Sequence, residues 1–494
     1  MTDAQRFPLM TDAGRAGLAR LREHAHAPRF NFPCGDRLNL SGLQHVQAFA
    51  QRVAGNPHIS LEECLECAGK WYKSVPFFRE RGAFPGTWAS LPTMGRDDIR
   101  RAPWALVPDD ESLDDLLVYY TSGTTGSRMQ VLSHPVTASS YLPLLERALQ
   151  TVGVELGRGP ETVAILNVCS QQRVLTHAAI SSYLDQAGYV KINLNPTDWR
   201  TSADIAAYID DLKPRIITSN PISLVEMARL PLTWKPQALV STAMSLLPAT
   251  RAYLERHFGC PVLDVYSMNE CRFLAFRADA GPWQPGAPDT FIEILNPQGD
   301  PCAPGQVGEI TITCPRNPFL PLLRYRTGDF AAFRTAAESA SLSPREAEDG
   351  HLAPQKAAPS QSLSQSKPPH HEDHVAALRN QPSQYQLVDF HGRPPVLFEL
   401  PDGRMINNID VMGVLRRFPI FRFALHQNAS GAFELRLEGG EEGEHELRQA
   451  FKEAFGVEVP LTILPFATAT RGEKFFEFSS EKVIAPDRQK LVYL

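Results

Sequence analysis

The strongest constraint on the fold of this chain lies between residues 162 and 266, where short apolar runs alternate with helical patterns. Thr162-Val-Ala-Ile-Leu-Asn-Val168, Tyr189-Val-Lys-Ile-Asn193, Arg215-Ile-Ile-Thr218, Ala238-Leu-Val-Ser241 and Val262-Leu-Asp-Val-Tyr266 are short apolar runs of the kind found in buried strands. Between them, Ala203 to Leu212 puts Ile205, Ile209 and Leu212 on one helical stripe, with Pro214 just beyond. Pro248 to Phe258 opens on a helix-starting proline and stops before Gly259. Buried strands separated by helices imply a doubly wound α/β arrangement, which binds its ligands at the carboxyl ends of the strands.

The flanks read differently. Residues 1 to about 110 are mostly helical, interrupted by turn clusters such as Asn31-Phe-Pro-Cys-Gly35 and Phe84-Pro-Gly86. After Pro282 the pattern changes to hairpins: Phe291-Ile-Glu-Ile-Leu295, the turn Asn296-Pro-Gln-Gly-Asp300, then Gly308-Glu-Ile-Thr-Ile-Thr313. Residues 335–384 are rich in Ser, Pro, Ala, Gln and His and contain no Phe, Tyr or Trp. Such a composition buries too little apolar surface to offset its ordering entropy, so it is expected to be a flexible insertion or linker. From 385 a smaller α+β unit is predicted, with strands at Phe423–His426 and Phe433–Leu437, a helix over about 443–455, and a strand at Val457-Glu-Val459. The expected organisation is a large α/β unit over 1–334 with a hairpin-rich subdomain, the insertion over 335–384, and a small mobile α+β unit over 385–494.

At 494 residues, 43% hydrophobic and 21% charged, the chain has ample material for more than one core. Its net charge of −6 and the lack of a long Lys/Arg block argue against a nucleic-acid partner. No stretch approaches the 18 or so apolar residues of a membrane span, and the N-terminus lacks a basic segment followed by an apolar core, so a cytoplasmic protein is expected. Cys64 and Cys67 have the spacing of a metal or redox pair, but neither a second pair nor a preceding strand accompanies them. They are expected one turn apart on a helix. The knot His370-His-Glu-Asp-His374 lies in the low-complexity tract, which offers a metal no pre-oriented geometry, and reads as solvated charge.

One segment points to chemistry. Leu116-Leu-Val-Tyr-Tyr120 is strand-like and feeds directly into Thr121-Ser-Gly-Thr-Thr-Gly126. Glycines allow close backbone approach to phosphate oxygens, and hydroxyls with exposed N–H groups give a polyanion several donors. The spacing is not that of the G-x-x-x-x-G-K-[ST] loop, and no lysine follows.

Tyr120-Thr-Ser-Gly-Thr-Thr-Gly126 resembles the signature loop of the acyl-adenylate-forming superfamily, and four further segments match that family in order. Asp264-Val-Tyr-Ser-Met-Asn-Glu270 is similar to the segment whose glutamate holds magnesium on ATP and whose aromatic residue stacks on adenine. Gly305-Gln-Val-Gly-Glu-Ile310 resembles its Gly-x-x-Gly-Glu hairpin. Arg324-Tyr-Arg-Thr-Gly-Asp-Phe330 resembles the segment whose aspartate grips both ribose hydroxyls. Thr470-Arg-Gly-Glu-Lys474 resembles the C-terminal segment with the catalytic lysine. The style is most similar to the phenylacetate-CoA ligase branch.

The resemblance implies ATP-dependent activation of a small carboxylic acid, followed by transfer to a thiol. Attack of a carboxylate on the α-phosphorus brings two anions together, so such a site needs a metal, donors and a cation. Glu270 (with Mg2+), Thr121, Ser122, Gly123, Thr124, Thr125 and Gly126, and Lys474 fill those roles by resemblance; Tyr266 and Asp329 hold adenine and ribose. Ser241-Thr242-Ala243 lines adenine and the acid, its small residues leaving room for a flat ring and so favouring an aryl acid. His177 either sits beside the acid's carboxylate or is a satisfied core histidine. Arg128 stands where the family has a lysine nearby, and either clamps phosphate or faces solvent. Gly392-Arg393, the expected hinge, is followed by Pro394-Pro395, which fix φ where the family's small domain rotates. The second half-reaction is therefore the less secure one. The acyl acceptor reads as coenzyme A, with a carrier-protein phosphopantetheine or an amine as alternatives. A nucleotide-binding scaffold with degraded catalysis is the reading from another class.

Overall fold

The computed structural model describes residues 1–55, 58–120, 129–171, 174–279, 281–335, 385–391, 396–407, 411, 414–415, 417–420, 422–439, 443–465 and 478–481. Strands β1 (Leu117–Tyr120) and β2 (Gln130–Ser133) form an antiparallel ribbon whose register ends at Tyr120↔Gln130. Next in the chain come β3 (Val163–Cys169), β4 (His177–Ser181), β5 (Ala187–Asn193) and β6 (Ile216–Ser219). They are followed by β7 (Ala238–Thr242), β8 (Val262–Met268), β9 (Arg272–Arg277) and β10 (Gln284–Pro285).

These last eight strands make one sheet in the order β10-β9-β8-β7-β6-β3-β5-β4. Its middle is parallel, and the edges formed by β4, β9 and β10 are antiparallel. From β3 the chain first builds outward to β5, then crosses to β6 on the other side of β3. This reversal is the switch point of a doubly wound sheet, where ligands bind outside the carboxyl ends. The five apolar runs are all strands here, for the expected reason: β3 and β6 bury almost every side chain. The helix Ala203–Leu212 ends at Lys213 in the left-handed conformation before Pro214. The helix Pro248–Phe258 ends at Gly259 with φ 67, whose N–H reaches back to the carbonyl of Glu255.

The first hundred residues are indeed mostly helical. The helix Asp12–Arg22 packs Leu18 and Leu21 near β4 and β5, and Leu40–Gly55 lies against Tyr141–Gln150. The helix Leu61–Ser74 carries Cys64 buried and Cys67 half-buried, one turn apart.

A second sheet follows, with β11 (Phe291–Leu295), β12 (Gly308–Cys314), β13 (Leu322–Thr335) and β14 (Tyr385–His391) antiparallel in that order. Because Thr335 pairs with Tyr385, residues 385–391 complete this sheet rather than start the small unit. The composition change marks where the insertion ends, not where the next core begins.

Beyond it, β15 (Leu397–Glu399) pairs with β16 (Met405–Asn407). Then β17 (Arg422–Gln427), β18 (Phe433–Glu438), β19 (Leu461–Pro465) and β20 (Phe478–Ser480) form a sheet in the order β19-β18-β17-β20. The helix Glu444–Phe455 buries Leu447, Phe451 and Phe455 in the core of this unit. Val457–Val459 is not the expected strand. Gly456, at φ 67, ends the helix, and the chain needs residues 457–460 to return before β19 pairs with β18 at Phe433↔Leu461. Leu247 joins this core from the large unit, and Arg229 ion-pairs with Glu438. No helix among the described residues is long and apolar enough to cross a membrane.

The helical N-terminal region is tied to the second sheet by buried charge. The Glu293 carboxylate accepts from Arg324 Nε at 3.2 Å, Arg324 Nη2 at 3.1 Å and Trp88 Nε1 at 3.0 Å. Arg324 Nη1 donates to the Leu91 carbonyl at 2.7 Å. Removing one member of such a network leaves the other charge buried and uncompensated, at a cost of about 3–5 kcal/mol. Glu293→Ala is therefore expected to lose about that much in equilibrium urea unfolding; a loss below about 1 kcal/mol would show that water or a neighbour replaces the carboxylate readily.

Candidate active site

The site begins with an irregularity in β13. Its register against β12 jumps from Thr311↔Arg326 to Glu309↔Phe330, so the residues between bulge away from the sheet. Glu309 holds that bulge. One carboxylate oxygen accepts from the Gly328 N–H at 2.9 Å, and the other from Arg326 Nε at 2.6 Å. Thr327 Oγ1 donates to the Ile310 carbonyl at 2.8 Å and accepts the Asp329 N–H at 3.1 Å. Gly328 has φ 78, a conformation in which a side chain would be strained. Gly308 is required for another reason, since a Cβ there would lie 2.5 Å from Cys302 Sγ and 2.7 Å from the Leu295 carbonyl oxygen.

The bulge delivers Asp329 to the end of β8, where its Oδ2 accepts the Tyr266 hydroxyl at 2.6 Å. Two residues from the bulge, the fully buried Tyr325 donates its hydroxyl to Glu270 Oε1 at 3.2 Å. Both tyrosines are held neutral well above the ordinary phenol range, by burial first and by the neighbouring carboxylate second. Each carboxylate thus has a fixed donor. Glu270 is 4% exposed, and its Oε2 receives no hydrogen bond among the described residues. A buried carboxylate with one open oxygen suits a magnesium ion that takes its remaining ligands from phosphate and water. Among the described residues no cluster of three or more His, Cys, Asp or Glu could hold a metal by itself.

The Tyr266 ring lies edge-on to Phe390 of β14, with centroids 4.5 Å apart, and Phe390 packs on Trp283 at 4.9 Å. Arg277 covers the Trp283 ring at 4.6 Å and bonds to the buried Asp264 at 2.8 Å, fixing the base of β8. The neighbouring strand β7 ends in Ser241 and Thr242, beside Asp264 and Val265 of β8. Ser241 Oγ is buried without a partner among the described residues, and Ala243 follows at φ 67, an uncommon conformation for a non-glycine residue.

Tyr266, Glu270 and Asp329 therefore meet at one place, with Ser241, Thr242 and Ala243 at the end of the adjacent strand. His177 does not join them by any direct contact among the described residues. It opens β4, stacks on Tyr189 with centroids 6.1 Å apart, and has both ring nitrogens buried without partners among the described residues. Thr121, Ser122, Gly123, Thr124, Thr125, Gly126, Arg128, Arg393, Pro394, Pro395 and Lys474 lie outside the described residues, as does His370–His374. Tyr325, Glu309 and Phe390 take part although no role follows for them from the motifs. Tyr325 and Glu309 stand inside quoted segments, whereas Phe390 carries no signal beyond its place near Gly392-Arg393.

No family model matches the chain. Phenylacetate-coenzyme A ligase of Pseudomonas putida is 25% identical to it over 288 residues, 52% of this chain and 62% of that relative. The chain thus matches about three fifths of the length of that curated relative. Among solved structures, 2-hydroxyisobutyryl-CoA ligase in the postadenylation state with R3-HIB-AMP superposes with a TM-score of 0.60 at 12% identity, covering 88% of this chain and 90% of that one. The chain has the fold of the adenylate-forming ligases. The same ligase with 2-HIB-AMP gives a TM-score of 0.56 at 14% identity, over 92% and 91% of the two chains. The large N-terminal and small C-terminal units expected from the resemblance are those of this fold.

Burial, and then the charge of Lys191, lower the His177 pKa to about 4. In the unfolded chain the imidazole takes its proton near pH 6.5. The folded state therefore binds fewer protons between those values, and stability falls as pH drops from 6.5 towards 4. His177→Gln is expected to flatten that part of a stability-versus-pH curve; an unchanged slope would mean that the folded imidazole protonates normally.

Proposed function

We propose that this protein is an AMP-forming acid–thiol ligase. It joins a small carboxylic acid to ATP, giving an acyl-adenylate and pyrophosphate, then passes the acyl group to a thiol. The observation that carries this reading is the meeting of Glu270 and Asp329, each oriented by a buried tyrosine hydroxyl, at the carboxyl end of a parallel strand. A carboxylate fixed for the ribose and another fixed for the metal on the phosphates hold the two ends of one nucleotide, which places the α-phosphorus between them.

The chain's residues then have distinct tasks. Asp329 accepts the ribose hydroxyls while Tyr266 fixes its orientation and offers the adenine an aromatic face. Ser241, Thr242 and Ala243 give a backbone edge and little bulk beside that ring. The Thr121–Gly126 segment donates to the phosphates, and Arg128 adds a cation there. Lys474 approaches from the small unit and stabilises charge as the acid's oxygen bonds to the α-phosphorus and the bond to pyrophosphate breaks. Magnesium, when bound at Glu270, supplies charge neutralisation on the phosphates.

For the second step, attack of a thiolate on the acyl carbon releases AMP. Arg393 marks the hinge that would exchange Lys474 for the thiol channel. Coenzyme A is the acceptor we favour, consistent with the relatives named above; a carrier-protein phosphopantetheine or an amine is the alternative. An aryl acid is favoured over an aliphatic one, given the small residues at 241–243 and the tyrosines described below.

Pyrophosphate exchange with a panel of aryl and short fatty acids tests the first step. Lys474→Ala is expected to lower exchange about 10²–10³-fold while ATP still binds, as for removal of one charge-stabilising group; an unchanged rate would remove Lys474 from the site. Silence with every acid, ATP binding being intact, would favour the scaffold reading. Adding coenzyme A, and separately candidate carrier proteins, identifies the acceptor by which one discharges the adenylate.

Glu309→Ala should act through geometry. Freed of its clamp, the bulge no longer holds Asp329 on Tyr266, and the Michaelis constant for ATP should rise about tenfold or more with a smaller change in kcat. Equal ATP affinity in the variant would show that Asp329 is positioned by other contacts.

A further inference from the structure

Beside the nucleotide site, one group of side chains carries polar atoms that the chain leaves unmatched. Arg272, the first residue of β9, adopts φ 64, a conformation that costs free energy for a non-glycine residue. Its guanidinium lies 4.3 Å over the ring of Tyr119, and its Nε and Nη2 atoms are buried without a hydrogen-bond partner among the described residues. No carboxylate among the described residues pairs with it.

Tyr141 and Tyr189 are near enough to feel its charge, and burial pushes both hydroxyls up, that of Tyr189 to about 12. Neither hydroxyl makes a hydrogen bond among the described residues. Tyr189 stacks in turn on His177, and Lys191 is the register partner of His177 on β5. These six residues all keep part of their surface accessible although they sit deep in the large unit. Half-buried tyrosines with unbonded hydroxyls keep hydrogen-bonding capacity that a ligand can use.

We propose that Arg272 is a specificity residue of the acid pocket, and that the preferred substrate is an aromatic acid with a second anionic group at its far end. This rests on the adenylation reading above. Two guanidinium N–H groups, on Nε and Nη2, withdrawn from water without an acceptor are unfavourable unless an anion arrives to pair with them. The tyrosine faces suit a ring, their hydroxyls can donate to the same anion, and Lys191, the register partner of His177, adds a second cation.

The anion is not the reacting carboxylate. That group loses its charge when its oxygen bonds to phosphorus, so a buried guanidinium held on it would favour the ground state over the transition state. A remote carboxylate keeps its charge throughout. Phosphate is the competing anion, because Tyr119 of β1 precedes the Thr121–Gly126 segment and Arg272 pairs in register with Met268 of β8; Tyr141 and Tyr189, from the helix Tyr141–Gln150 and β5, favour the acid side, and the Michaelis constant for ATP decides between the two.

Pyrophosphate exchange on the full chain tests this with matched acids: benzoate against isophthalate and terephthalate, and phenylacetate against its ring-carboxylated counterpart. The wild type is expected to favour the diacid at least tenfold in kcat/KM. Arg272→Gln should lower that ratio at least tenfold, and Arg272→Lys should restore part of it. No diacid preference in the wild type overturns the proposal. So does an equal loss for both acids in Arg272→Gln, which would assign Arg272 to the reacting carboxylate, or a rise in the Michaelis constant for ATP common to all acids, which would assign it to phosphate. Calorimetric titration of wild type and Arg272→Gln with isophthalate separates this from failure of the adenylation reading. If no acid supports exchange, diacid binding that Arg272→Gln abolishes sustains the pocket assignment, and absent or unaltered binding overturns it.

Discussion

The candidate site depends on the bulge in β13 and on the Glu309 carboxylate that holds it. An uninterrupted β13 would keep Asp329 in the ladder, and its carboxylate would not be delivered to the Tyr266 hydroxyl. With the bulge in place, Tyr325 turns inward to Glu270 while Asp329 turns outward to Tyr266. These two hydrogen bonds run in opposite senses, each sheet supplying one tyrosine and one carboxylate. Hydrogen bonds to charged groups contribute about 1.5–3 kcal/mol each, enough to fix both carboxylates before any ligand arrives. The central sheet and the hairpin sheet are thus aligned by the same groups that would bind the nucleotide.

This explains what could be read from the sequence. Continuous apolar runs between helical stripes are sufficient for a parallel sheet, because only a strand buried on both faces reads that way. The helix ends at Pro214 and Gly259 are equally local. The edge strand β4 escapes such reasoning, since it pairs on one side only; β9 pairs with both β8 and β10 but returns antiparallel through the turn that follows β8. Val457–Val459 has strand propensity, but Gly456 and Pro460 leave it as the connection to β19. Tyr266, Glu270 and Asp329 were reachable through the ordered motifs. Phe390 was not, because its role comes from pairing across an insertion, and Arg272 was not, because what marks it is the absence of a partner.

The charges near the site divide into two kinds. Glu293 with Arg324, Asp264 with Arg277, and Asp289 with Arg316 are buried pairs that satisfy each other and hold strands in place. In each pair the arginine donates to its carboxylate, which is what makes buried charge tolerable. Arg272, His177 and the open oxygen of Glu270 are different in having capacity left over. Residues of the first kind explain why the fold persists; those of the second show where it expects company.

Residues 336–384 separate Thr335 from Tyr385, the paired ends of the hairpin that carries Phe390, and so long a separation raises the question of what it costs the pairing. Loop closure answers the concern. The entropic cost of joining two strands grows only with the logarithm of the loop between them, about 0.6 kcal/mol for each doubling in length. The pairing from Thr335↔Tyr385 to Phe330↔His391, with Leu387 and Phe333 buried beneath it, supplies more than a few doublings would remove. The sheet can therefore carry a long polar segment at this one turn without loosening its hold on Tyr266. A comparable segment between Glu309 and Asp329 would part the carboxylate from the bulge it holds, so the tolerance is specific to the far edge of the sheet.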